Sequence, residues 1–382
     1  MLAYVLVSSA FVTSYPAEVM AGFKRYFQTW GVFFAMAVLP FMVKDLRQTY
    51  RAMVWVALLH LPFSLYQFFV VVPNRGVVSA AAFDAVAGIF EGSATGGGAS
   101  GVMALFMVVA VVAVIRLWLA ERIDLWRMLL GLAVFGTPLA LGETKVVIVV
   151  LPFTLLVAMR GYFGRARALA IFAVVVLATL ALAVRYISLN EVNGADFQKA
   201  LDNSLAYNFG SVGYDGRGGL NRSTVLSFWA SKHGFQDPVG TLLGHGLGAS
   251  YAGTNAFFPG HLNFTYPFLA IDLTTVSTIL WDLGLLGLLL YLSLYVAAWR
   301  SLQQGIRAFE GSELADWFRL GEISLVVCVI ALPYNNSIIS FGSHGTVFAL
   351  TLGVCAVAGR MASQRDRGMV SLQTAAQRPP SV

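Results

Sequence analysis

Apolar stretches of about 17–22 residues, broken by short polar clusters, recur along nearly the whole chain. At about 1.5 Å per helical residue, such a stretch crosses the roughly 30 Å hydrocarbon core of a bilayer. The short alternating segments of a membrane β-barrel are missing from the sequence. The pattern predicts an all-α polytopic membrane protein of about ten transmembrane helices, centred near residues 8, 35, 62, 108, 133, 152, 177, 288, 326 and 352. A large loop, residues 186–267, separates the seventh span from the eighth. Residues 1–360, loop included, read as a single transmembrane domain, and 361–382 as a disordered cytoplasmic tail, polar and proline-bearing. The apolar start, Met1 to about Ser14, has neither the basic beginning nor the cleavage motif of a signal peptide, so it reads as a first membrane helix.

Composition agrees: 58% of residues are hydrophobic, 12% charged, and the mean hydropathy is +0.74. A soluble domain of this size needs far more charge to cover its surface. The formal net charge of +6 raises the question of nucleic acid, but its distribution answers it. Lys44, Arg47 and Arg51 lie between spans two and three, Arg116, Arg122 and Arg127 around the link from four to five, and Arg160, Arg165 and Arg167 between six and seven. Arg300, Arg307 and Arg319 join eight to nine, and Arg360, Arg365 and Arg367 follow ten. Every second connection is basic, which the positive-inside rule assigns to the cytoplasm, with both termini. The large loop is then expected on the outer side of the membrane, with the lipid bilayer and not nucleic acid as the charge's partner. Lys24 and Arg25 fall on the outer side and stand against the scheme. Cys328 and Cys355 lie in late apolar segments without metal-ligand spacing and read as small core residues.

Candidate chemistry concentrates on the outer side. The loop is rich in Gly and Asn but also in aromatics, which predicts a folded cap rather than a linker. Within it, "NRSTVLSFWASKH" has helical spacing, with Val225, Leu226, Phe228 and Trp229 on one side. Arg222 opens that helix, and Arg217 precedes it in "DGRGG". Two close guanidiniums suit a diphosphate; solvated or headgroup-facing arginines fit the spacing as well. Glu143 and Lys145, in "GETK", stand at the mouth of the sixth span, where charge is costly and often functional, although an interfacial Glu–Lys contact is equally compatible. His233, His245, His261 and His344, four of the five histidines, are all expected outside. Each is either a general base or an ordinary polar loop residue. Asp84 and Glu91, in "FDAVAGIFEGSATGGGASG", are open to the same two readings.

Taken in order, these pieces resemble the O-antigen polymerase and ligase superfamily, the Wzy-like membrane glycosyltransferases of GT-C type, here an exopolysaccharide polymerase-like member. "FDAVAGIFEGSATGGGASG" is similar to the family's Gly/Asn loop before a long helix. "LALGETKVVIVVL" stands where the family has a Thr-x-Ser-Arg helix start, with Lys145 replacing the Arg. "GLNRSTVLSFWASKHGFQDPVGTLLGHGLGAS" resembles the Arg…Trp…Pro…Gly-x-Gly-x-Gly signature of the large periplasmic loop, and "STILWDLGLLGLLLYL" the helix that follows it. Where the family has a His before the acidic position at Asp282, this chain has Asp272; His261, in "GHLNF" farther upstream, is the counterpart only if the loop is longer here.

The resemblance implies a polymerase that joins undecaprenyl-diphosphate-linked oligosaccharide repeat units to a glycan acceptor on the periplasmic side. It implies inverting transfer without metal or other cofactor, and a chain-length regulator protein as partner. Arg222, Arg217 and Lys145 would neutralise the diphosphate. His261, then His245 or Asp272, would take the acceptor's proton. The alternatives are an O-antigen ligase passing glycan to a lipid acceptor and a flippase for a lipid-linked sugar.

Overall fold

The computed structural model describes the chain apart from residues 13–14, 76–84, 92–98, 143, 190–197, 199–201, 203–209, 211–218, 254–258 and 369–382. Among the described residues every regular element is helical. In order they are α1 (Leu2–Phe11), α2 (Pro16–Phe27), α3 (Trp30–Val38), α4 (Val43–Tyr66), α5 (Ala99–Leu119), α6 (Leu125–Leu141), α7 (Val147–Ala158) and α8 (Ala166–Leu189). They continue with α9 (Thr224–Lys232), α10 (Pro238–Leu243), α11 (His261–Thr265), α12 (Thr275–Ala308), α13 (Glu313–Tyr334), α14 (Ser337–Ser340) and α15 (Gly342–Asp366). Each predicted span centre falls inside one of these helices. Five segments, Val43–Val71, Ala99–Leu119, Ala166–Val184, Thr275–Ala308 and Gly342–Asp366, are long and apolar enough to cross a membrane. This is an all-α membrane protein. Residues 361–366, which the sequence places in a disordered tail, continue α15 as helix.

The chain forms two compact units. The first comprises Met1–Gly31, Ile187–Val296 and Val329–Gly345, and the second Val32–Tyr186, Ala297–Cys328 and Thr346–Val382.

In the second unit α5 is the central helix, buried almost throughout from Ala99 to Val108 and packed by α4, α6 and α7. Its neighbours turn large apolar side chains outward: Val54, Trp55 and Phe63 on α4, Leu169, Val174, Leu177 and Leu180 on α8. An apolar core under an apolar exterior is what lipid as solvent permits. Small residues close the helix crossings, Gly305 against Ala358 and Phe318, and Gly321 against Val354. At one end of α4, past Pro62 and a π-helical turn at Gln67–Val71, Gln67 accepts from the Ala87 and Gly88 amides at 2.9 and 2.8 Å and donates to the Gly88 carbonyl at 2.8 Å. This pins residues 85–91, which lie ahead of α5.

The opposite end of the unit collects the basic connections. Arg47 pairs with Glu313 at 3.0 Å, Arg122 with Asp316 at 2.6 Å, Arg160 with Glu322 at 2.5 Å, and Arg167 with Glu121 at 2.5 Å. Buried Arg116 donates to the Ala158 carbonyl at 2.9 Å. Most of these pairs are half-exposed, so each contributes only a few tenths of a kcal/mol to about 1 kcal/mol. Their value is positional: the alternate loops meet.

Candidate functional site

The site is built in the first unit, beginning with α2. Proline at its first turn, Glu18 beside it, and Lys24 and Arg25 in the last turn match the helix dipole at both ends. Glu18, Ala21, Gly22, Arg25 and Tyr26 are the buried residues, spaced as one helical face. Two charges therefore lie on the inward stripe, which requires partners.

Glu18 holds His261. One carboxylate oxygen accepts the His261 backbone N–H at 2.7 Å and the other lies 2.9 Å from the ring Nδ1. The Glu18 side chain is 7% exposed and that of His261 30%. With Nδ1–H donating to the carboxylate, Nε2 is left as the basic nitrogen, the arrangement of an oriented general base.

Arg25 holds Asp272. Nη2 donates to Asp272 Oδ2 at 3.1 Å and to Ser340 Oγ at 2.6 Å, both charged side chains being 9% exposed. The guanidinium lies over the Tyr251 ring at 4.4 Å. Its Nε and Nη1 are buried and without a hydrogen-bond partner among the described residues. A guanidinium with two spare donors is suited to an oxyanion. Asp272 is committed to Arg25 and to the Ala252 amide, which donates to it at 3.4 Å.

"GHGLGAS", residues 244–250, closes this unit from another direction. Gly244, Gly246 and Gly248 have φ of 77, 103 and 86°, the left-handed region that favours glycine. The loop docks on a break in α12, where Gly284 adopts φ 67 and ψ −169°. The His245 and Gly246 amides donate to the Trp281 and Asp282 carbonyls at 2.9 and 3.1 Å. The buried Asp282 carboxylate accepts from the Gly248 and Ser250 amides at 3.2 and 2.8 Å and from the Tyr26 hydroxyl at 3.2 Å. A Cβ on Gly22 would lie 2.6 Å from the Gly248 nitrogen, so α2 and the loop meet backbone to backbone.

Below the loop lies an aromatic core. Trp229 stacks on His233 at 4.5 Å, and the Trp281 ring is 4.8 Å from His233 and 5.9 Å from His245. Trp229, Ala249, Leu262, Ile271, Leu280 and Trp281 form its buried part. Trp229 therefore packs within the unit. The Nε2 atoms of His233 and His245 face each other at 3.0 Å. Burial, reinforced by His233, lowers the His245 pKa to about 4 against the opposing pull of Asp237, so His245 is neutral at pH 7.

Arg222, at the start of α9, donates from Nε to the Tyr334 carbonyl at 2.7 Å and lies over the Tyr334 ring at 4.5 Å. Tyr334 opens "YNNSIIS", the segment whose Asn336 donates to the Asp272 carbonyl at 2.5 Å and whose Ser340 binds Arg25. One short segment thus holds both arginines. It also holds His344, whose Nδ1 is 2.6 Å from Ser337 Oγ.

The first unit brings together His261, His245, Asp272 and Arg222 of the residues singled out in the sequence, along with His233 and His344. Lys145 is exposed and belongs to the second unit; Arg217, Glu143 and Asp84 lie outside the described residues. Sequence reasoning missed Glu18 and Arg25. Their signal was the i, i+7 spacing of opposite charges on one stripe of a short amphipathic helix. No known protein family, curated protein or solved structure matches the chain.

Proposed function

We propose that the chain is a membrane glycosyltransferase that polymerises undecaprenyl-diphosphate-linked oligosaccharide repeat units on the periplasmic face of a bacterial inner membrane. The observation that carries this reading is the Glu18–His261 pair, a buried carboxylate orienting a partly exposed imidazole, in the same compact unit as two arginines held by one segment. Glycosyl transfer to a hydroxyl needs a base to take the proton and cations to receive the diphosphate leaving group. His261 Nε2 is the base, Glu18 positions it and stabilises the imidazolium, and Arg222 and Arg25 receive the phosphate charge. The substrate class comes from the resemblance of the ordered motifs. The ten-span topology, with residues 186–267 as the periplasmic loop and both termini cytoplasmic, belongs to the same reading. Lys24 and Arg25 stand against that orientation; in the folded protein Arg25 is buried in an ion pair.

The test is polymer laddering on gels from cells whose only copy carries a substitution, with membrane abundance measured alongside. His261→Ala should lower polymer formation at least about tenfold. Arg222→Ala should abolish it, with poor rescue by Arg222→Lys, which lacks the planar fork and the stacking surface. A dead Asp272→Asn with wild-type laddering from His261→Ala would move the base to the aspartate. Normal ladders from all three substitutions would overturn the reading.

A further inference from the structure

His233, Asp237 and His245 offer one ligand atom each, all within 4.8 Å of one another. The two imidazole Nε2 atoms are 3.0 Å apart, and Asp237 Oδ2 is 3.8 Å from His245 Nε2. Zn²⁺ bonds of about 2.0–2.1 Å in a tetrahedron place neighbouring ligand atoms roughly 3.3–3.4 Å apart, so the observed spacings bracket that edge.

The groups behind these ligands fit as well. His233 Nδ1 lies 2.8 Å from the Trp229 carbonyl oxygen. A carbonyl only accepts, so Nδ1 carries the proton and Nε2 presents its lone pair toward His245 and Asp237. An imidazole tied by its far nitrogen to a backbone carbonyl is the usual support of a metal-bound histidine. Asp237 caps α10 with Oδ1, which accepts the Gly240 amide at 2.9 Å, leaving Oδ2 turned to the imidazoles. A side chain on Gly240 would collide with that oxygen and come within 3.0 Å of His245 Cε1. A hydrogen bond between the two histidines also fits 3.0 Å, but it leaves the placement of Asp237 Oδ2 without a reason.

We propose that His233, Asp237 and His245 bind one divalent transition-metal ion, Zn²⁺ by the borderline character of two nitrogens and one oxygen. The ion fastens the turn between α9 and α10 to the "GHG" corner. It takes His245 out of the candidates for general base, and the proton transfer assigned to His261 does not pass through it.

The test uses the full chain, purified in detergent through a histidine-free affinity tag. Elemental analysis should find about one Zn²⁺ per chain, falling to background in His245→Ala, His233→Ala and Asp237→Asn and unchanged in Glu18→Gln. After chelation, added Co²⁺ should develop the visible absorption of a low-coordinate site in the wild type and not in His245→Ala. Zn²⁺ should also raise the unfolding temperature of the stripped wild type alone. Another divalent transition ion, lost in the same three variants, supports the site with a different occupant. A folded wild type carrying less than about 0.1 ion per chain, with no Co²⁺ spectrum, overturns the proposal, as does metal that survives His245→Ala. Because metal content is read without substrate, a failure of the glycosyltransferase reading leaves this result standing.

Discussion

Glu18 accepts two hydrogen bonds from the same residue, one from the His261 backbone and one from its ring. Glutamine in its place sets an NH₂ against one of two N–H groups, so either the backbone bond is lost or the ring changes tautomer and surrenders its basic Nε2. Glu18→Gln should therefore lower polymer formation by about 10²–10⁴-fold, the range of a misplaced or mistautomerised base. Glu18→Asp keeps the charge with a shorter reach and should fall between that variant and wild type. Initial polymer yield at matched membrane abundance decides it, and equal yields from Glu18→Gln and wild type would remove Glu18 from the site. At this scale the sequence was half legible. His261 stood out as a histidine just before a membrane span, and Arg222 as a charge opening an apolar helix. Glu18 and Arg25 could not be valued, because what distinguishes them is burial against partners more than 240 residues away.

Among the elements, the break in α12 matters most. A carbonyl released from helical bonding in a membrane helix must be satisfied elsewhere, and the amides of "GHG" serve Trp281 and Asp282. Gly284 sits at φ 67 and ψ −169°, a conformation open essentially to glycine alone, and a Cβ there would reach 2.5 Å from the Leu242 backbone. Gly284→Ala should destabilise the protein by at least about 1–3 kcal/mol and undock the loop that carries His245. Gly136→Ala, in α6, meets nothing within 4 Å and should leave stability unchanged. Thermal unfolding of the two variants in detergent separates them; similar curves would mean the break tolerates a side chain. The periodicity of "STILWDLGLLGLLLYL" announces a helix but not its interruption, because glycine is common in membrane helices for packing as well as for breaks. α2 was hidden for a related reason: at Pro16–Phe27 it is too short and too polar to register as a span.

For the whole molecule, the alternation of basic connections was the most informative signal. Arginines of three loops far apart in sequence, Arg47, Arg122 and the pair Arg160 and Arg167, make ion pairs with Glu313, Asp316, Glu322 and Glu121 at one end of the second unit. Charge density could reveal this because topology is decided by loop charge more than by fine packing. The division into two compact units was not legible, since α12, α13 and α15 each contribute to both and no linker or compositional shift marks a boundary. Reporter fusions after Arg47, Arg122 and Arg165 should read cytoplasmic, and one near Gly253 periplasmic. A cytoplasmic signal at Gly253 would put the Glu18–His261 pair on the wrong side for a lipid-linked donor.

The Arg25–Asp272 pair also sets a schedule for biogenesis. The two residues are 247 positions apart, and at about 5–20 residues per second the ribosome needs on the order of 10–50 s to travel that distance. Throughout that interval Arg25 has been made and its counter-charge has not. An unpaired guanidinium is too costly to bury in hydrocarbon, so α2 must wait at the membrane surface, its charged stripe in water, while most of the later spans insert. Of the segments that build the site, α2 is thus made before its partner and cannot settle until that partner has followed it.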